Sequence, residues 1–221
     1  MAQAVPVNDD SLSAQTYQTL RTGIIVGRYQ PGSPLKEHGL ADELQVSRIP
    51  IRSAIMQLDN DGFLVTAPRR SARVAEWTER SINELFDVRL SLEALAARLA
   101  AKNSAAGASA DALADALGDA HRAVDGGDRL AIAEAHARYH QTIVDLADSA
   151  LLSTLMRAVG GRMTWMFYLT GTDRDPGVQS HEHDELLDAI AAGNARLAES
   201  LAFSHIEKGR GPSLAIILGG R

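Results

Sequence analysis

The stretch "GSPLKEHGLADELQVSRIPIRSAIMQLDNDGFL", residues 32–64, decides the reading of this chain. "LKEHGLADEL" has the pattern of a short helix, and "QVS" reads as a turn. "RIPIRSAIMQLDNDG" is a second helix, with Pro50 tolerable only because it falls in the first turn. Ser47 stands where it can cap that helix. Ile51, Ile55 and Leu58 give it an inward side. Upstream, Gly27, Pro31, Gly32 and Pro34 punctuate a turn in "GRYQPGSP". Before that turn, Leu12, Tyr17, Leu20, Ile24 and Ile25 predict a helix from Ser11 to about Val26. Downstream, "FLVTAPRRSARVAEW" has short β-prone runs around a basic centre and reads as a two-stranded hairpin. Helix, short helix, turn, helix and basic hairpin is the order of a winged helix-turn-helix, placed over residues 11–76.

The chemistry of this front segment suits DNA. Arg48 and Arg52, four residues apart, share one helical face near an N-terminus, the end that enters a major groove. Arg69, Arg70 and Arg73 cluster at the hairpin for the neighbouring backbone or minor groove. An isolated pair of arginines would read as a solvated face, but the ordered set of turn, helix and basic wing argues against that. The net charge of −6 hides a division. Residues 1–76 balance at zero, residues 77–221 carry the whole excess of acid, and residues 47–76 hold five arginines against three acids. An acidic protein can hold DNA where its positive charge is local.

After Trp77 the pattern becomes long and amphipathic, with helices predicted at about 79–103, 109–125, 128–147, 150–171, 178–192 and 194–208. Leu85, Val88, Leu92, Leu95 and Leu99 keep a 3-4 spacing and predict the core face of the first. The apolar end "GPSLAIILGGR", residues 211–221, falls in a separate tail read over 209–221. The fold class is therefore mostly α: a winged helix-turn-helix followed by an all-α bundle of about six helices over 79–208. The low aromatic content, 5%, fits helices better than a sandwich. The absence of cysteine excludes disulfides, thiolate metal sites and cysteine nucleophiles. No run reaches the ~18 apolar residues of a membrane span, and no signal-peptide pattern opens the chain, so a cytoplasmic protein with no membrane partner is expected.

The bundle also carries a histidine pattern. His136 and His140 in "HARYH" lie one turn apart on a face continued by Ile143 and Val144. His183 shares a face with Leu187 and Ile190, and His205 shares one with Leu197 and Leu201. Four imidazoles from three helices thus point towards one interior, where a common metal ion would satisfy them together. Separate core or surface histidines are the alternative. His181 is two residues off that face, and His121 has no supporting pattern.

Residues 12–76 resemble the winged-helix domain of the GntR family of bacterial transcription regulators, whose usual form is L-x-E, then LA-x-x-L-G-V-S-R-T-P-V-R-E-A-L, then L-x-x-x-G-L. The resemblance implies base and phosphate contacts by Arg48 and Arg52, a phosphate contact by Arg21, and a polar contact by His38. Ile49 replaces the usual Thr, Ser53 the usual Glu, and Ser71 the usual wing Gly. "LFDVRLSLEALAARLAA" is similar to the opening helix of the FCD effector-binding domain of the FadR subfamily. That resemblance covers about residues 79–208. It implies a metal held by an Asp-x-x-x-His pair and two later histidines, which fall on His136, His140, His183 and His205. His136 stands in place of the usual Asp, and Ala150 where Asn is often found. An all-nitrogen set favours zinc or nickel over calcium or magnesium. Arg89, with Glu93 one turn on, is implied as the contact for an effector carboxylate, with Arg162 as a further cavity residue. The competing reading of Arg89 and Glu93 is a surface ion pair.

These readings predict a homodimeric, ligand-responsive regulator on double-stranded operator DNA, acting as a repressor relieved by a small organic acid. Two other classes compete. A histidine-held metal could activate water in an enzyme, although Ala137 occupies the place where H-E-x-x-H supplies its base. Alternatively, the metal is structural and DNA binding unregulated.

Overall fold

Leu20, Ile24 and Ile25 of one helix meet a second helix whose Ile51, Ala54 and Leu58 are equally closed to solvent, and Phe63 seals the base of this small core. The computed structural model describes residues 9–67, 71–171 and 176–219. The chain divides into two units, Met1–Glu76 and Trp77–Arg221. In the first, α1 (Asp9–Ile25) packs on α3 (Arg48–Asn60), and α2 (Glu37–Leu44) lies against α3. The turn between α2 and α3 begins at Gln45, which takes the left-handed conformation (φ 54°, ψ 42°), and the Val46 N–H closes back on the Ala41 carbonyl at 3.1 Å. Ser47 occupies the cap position of α3, but its hydroxyl makes no capping hydrogen bond. Pro50 is the third residue of α3, where its missing N–H has no helical carbonyl to serve.

The expected hairpin is present as β2 (Leu64–Val65) and β3 (Ala72–Val74), paired antiparallel with Leu64 opposite Val74. A third strand, β1 (Pro34–Leu35), pairs with the other edge of β3, Pro34 opposite Arg73, so the sheet order is β1-β3-β2. β1 falls within the stretch whose glycines and prolines predict a turn.

In the second unit, α4 (Glu79–Ala105), α5 (Asp111–Gly126), α6 (Arg129–Leu146), α7 (Ala150–Thr170), α8 (Pro176–Ala191) and α9 (Ala195–Gly219) form the bundle. Thr78 and Ser81 start α4 with a reciprocal capping box, and Asp128 and Ser149 cap α6 and α7. Among the described residues no helix is long and apolar enough to cross a membrane.

Two expectations are corrected. The buried face of α4 is not the predicted leucine stripe. It runs through Ile82, Leu85, Phe86, Arg89, Glu93, Ala96, Ala97, Ala100 and Ala101, while Val88 is exposed and Leu92, Leu95 and Leu99 are half-buried. The small side chains suit the close packing of α4 on α9, which is the most extensive in the unit. The predicted separate tail is also absent: α9 continues through Pro212 to Gly219 and buries Gly209 and Ser213. On the same helix His205 shares its inward side with Ala198, Ala202 and Ile206, whereas Leu197 is exposed.

Candidate functional site

The elements predicted to face DNA are built around one carboxylate that sequence reading missed. Glu37, the first residue of α2, accepts from Arg52 Nε at 2.7 Å and lies 3.9 Å from Arg48 Nε. Both arginines remain well exposed and are held side by side at the start of α3. Its only sequence signal was the L-x-E spacing, which does not say what the acid touches. Ile49 is 68% exposed beside them, an apolar side chain presented to solvent at a helix N-terminus. His38 is exposed and pairs with Asp42 at 3.4 Å. Arg21 is half-buried, its guanidinium 5.9 Å from the centre of the Phe63 ring. Ser71 is exposed just before β3. Arg73 donates to the Gly32 carbonyl at 2.7 Å and so braces the wing. Arg69 and Arg70 lie outside the described residues.

In the second unit the inward faces of α6, α8 and α9 bring His140, His183 and His205 together, all buried, with one ligand atom from each lying within 4.8 Å of the others. His183 Nε2 and His205 Nε2 are 3.1 Å apart. That is close to the roughly 3.3 Å edge expected of two nitrogens on a tetrahedral zinc with bonds of ~2.0–2.1 Å. His136 is not part of this tight group. It is half-buried and lines the cavity beside it, edge-on to His183 and Phe167. Of the four predicted imidazoles, three form the tight group, and His136, its ring centre 5.6 Å from that of His183, stands in the adjoining wall.

Two carboxylates fix the rings. Glu93 on α4 accepts from His140 Nδ1 at 2.6 Å, and Glu182 on α8 accepts from His205 Nδ1 at 2.8 Å. An ionised carboxylate can only accept, so Nδ1 carries the proton in both rings and Nε2 keeps its lone pair. This is the support that metal-binding histidines require. Burial would raise the Glu93 carboxyl, but the Arg89 guanidinium and His140 override it and hold it well below the usual carboxylate range. Glu182 is lowered to about 2, chiefly by its hydrogen bond from His205, with Lys208 adding to the effect. Burial pushes His205 down to about 4, against the pull of Glu182, which favours neutral imidazole. Tyr139 donates to the His183 carbonyl at 2.9 Å and anchors α8 to α6. Glu182, adjacent to His183, had no periodic signal to mark it in the sequence.

Arg89 and Glu93 form a buried pair, 2.6 Å between Nε and Oε1, and not the surface pair that was the alternative. The Arg89 guanidinium lies 5.5 Å from the Phe86 ring centre and 5.1 Å from that of Phe167, and it lines the histidine cavity. Phe167 in turn stacks on His140. Arg162 does not line this cavity among the described residues. Its guanidinium lies 4.7 Å over the Trp77 ring. The exposed His181 pairs with Glu185 and faces away, as its offset from His183 predicted.

Residues 12–74 match the family described as bacterial regulatory proteins, gntR family, and residues 84–208 match the FCD domain. A curated relative, the "Probable D-xylose utilization operon transcriptional repressor" of Paenarthrobacter nicotinovorans, is 27% identical over 196 residues, covering 89% of this chain and 86% of that one. Among solved structures, a GntR transcriptional regulator from Rhodococcus sp. RHA1 is 26% identical with a TM-score of 0.75, covering 93% of this chain and 98% of its own. E. coli McbR/YncC shares the fold, with a TM-score of 0.75 at 22% identity and coverage of 95% and 98%. The chain belongs to the GntR family, in the FadR-like branch that couples the winged helix to an FCD domain, and it is a DNA-binding transcriptional regulator, not an enzyme.

Proposed function

We propose that this regulator is a homodimeric repressor on double-stranded operator DNA, released by a small organic acid that binds beside a divalent metal in the FCD domain. The observation that carries the reading is the convergence of His140, His183 and His205 on one point, two of them with Nδ1 already committed to a carboxylate. The donor set fits the ion: neutral nitrogens in a closed pocket suit zinc or nickel. His140, His183 and His205 would hold it. His136 and Arg89 line the cavity on the side where a ligand carboxylate would lie. Bound there, the metal would supply open coordination positions for that carboxylate. The effector changes DNA affinity only through a difference in its affinity for two arrangements of the protein.

The test is metal analysis of the purified protein together with thermal shift on adding zinc or nickel. Wild type is expected to hold about one metal per chain, and His140→Ala to lose the metal and the metal-dependent shift while retaining its helical circular dichroism. Unchanged metal content in His140→Ala would overturn the site. Sedimentation tests the dimer. Tighter operator binding on adding effector, read by gel shift, would overturn the direction of control.

A further inference from the structure

One side chain on α3 is turned outward for no benefit to the fold. The core side of this helix is formed by Ile51, Ala54 and Leu58, all closed to solvent. At about 100° per residue, Ile49 stands roughly opposite the mean direction of those three. It points straight away from the core and is 68% exposed. An exposed β-branched residue gives a helix less stability than alanine would. Single exposed hydrocarbons are ordinary on a protein surface, but this one has a particular setting. Ile49 is the second residue of α3, and Arg48 and Arg52 lie on one flank of it, facing Glu37. Met56 also points outward and is 64% exposed, but it lies two turns, about 10 Å, further along the axis. A helix that enters the major groove by its N-terminal end meets base edges with its first turns.

We infer that Ile49 reads the C5-methyl group of a thymine in the operator half-site, beside the base pairs met by Arg48 and Arg52. This rests on α3 being the reading helix and deepens the operator-binding part of the proposed function. Thymine alone among the four bases carries an apolar group on its major-groove edge. An isoleucine offers neither donor nor acceptor, so the other base edges would lose water against it without gaining a partner. Against the methyl, two hydrocarbon surfaces leave water together. The stiff χ1 of a β-branched side chain in a helix means that little rotamer freedom is lost on contact.

Replacing thymine by uracil deletes that methyl and leaves the hydrogen-bonding groups of the base pair as they were. An operator is first selected from random duplexes with the full-length wild-type protein. Each thymine of one half-site is then replaced in turn, and binding is read by fluorescence anisotropy. At one thymine, uracil is expected to weaken wild type about three- to fivefold, the scale of one methyl group returned to water. Ile49→Ala, expected to leave the circular dichroism and the urea midpoint unchanged, should bind the thymine and uracil forms of that position equally. Ile49→Val should keep most of the wild-type ratio, and Met56→Ala all of it. A half-site without thymine, a scan with no sensitive position, or sensitivity that survives in Ile49→Ala overturns the inference. So does sensitivity that disappears in Met56→Ala. The double variant Arg48→Ala, Arg52→Ala tests the reading helix itself and is expected to lose the preference for operator over random duplex. If it keeps that preference, α3 is not the reader and the inference falls with it. If it loses the preference while the uracil scan is flat, the Ile49 assignment alone falls.

Discussion

At the scale of single residues, this chain departs from its family where the backbone can be seen to notice. Gln45 closes α2 in the left-handed region, where the usual family pattern has glycine. A side chain there crowds its own carbonyl, and the Gln45 amide contact to the Asp42 carbonyl at 2.7 Å offsets only part of that. Gln45→Gly is expected to stabilise the winged domain by up to about 1 kcal/mol, partly offset by greater freedom of the unfolded chain. Urea denaturation followed by circular dichroism checks it. A lower midpoint in the variant would mean that the glutamine is held by more than its local contact. Ile49 is a different departure. It puts an exposed hydrocarbon where the usual family pattern has a hydroxyl, at the start of α3.

At the scale of elements, the pairing of α4 with α9 governs the bundle. Ala96, Ala97 and Ala100 are fully closed to solvent, and Ala198 on α9 is too. Ala100→Leu inserts a branched side chain where there is no room, and is expected to cost about 1–3 kcal/mol. A thermal melt of the intact protein measures it; no loss would show that α9 can withdraw freely from α4. The same pair shows what sequence reading can and cannot supply. The order of helices, their approximate limits and the reading helix were all legible, because turn residues and apolar spacing mark them. The face of α4 was not. Counting leucines favoured a stripe that proves partly exposed, whereas the true interior is lined by alanines and by an ion pair that hydropathy places outside. The last helix reads as ending at 208, yet packing carries α9 through Pro212 to Gly219. β1 is two residues long, too short for alternation to register. The histidines were found by their spacing. Three of them converge tightly with His136 in the adjoining wall, and Glu182, which orients His205, depends on a fold that brings α8 beside α9.

At the scale of the whole molecule, a net charge of −6 has to coexist with DNA binding. The excess acid lies in residues 77–221, so attraction is expected to depend on a few exposed cations of the first unit, two of which, Arg48 and Arg52, face Glu37. Glu37 holds the two arginines in register and also cancels one of their charges. Glu37→Gln is therefore expected to bind random-sequence duplex DNA more tightly. The slope of log affinity against log salt should steepen by roughly one, as one more phosphate is neutralised. Discrimination in favour of an operator selected with wild type should fall, because the guanidinium groups lose their common anchor. Fluorescence anisotropy at several salt concentrations gives both numbers. Weaker binding to random DNA would show that Glu37 is needed for the fold of the reading helix and not to moderate its charge.

Trp77 and Trp165 are the chain's only two tryptophans, and they pack edge to face, 5.3 Å between ring centres, under the Arg162 guanidinium. Trp77 is the first residue after the DNA-binding unit, and Trp165 lies two residues before Phe167, which touches both Arg89 and His140. All indole emission from this protein thus originates at a single spot, wired by α7 to the histidine cavity. The second unit carries its own lamp, and unlabelled protein in a cuvette suffices to watch that unit respond.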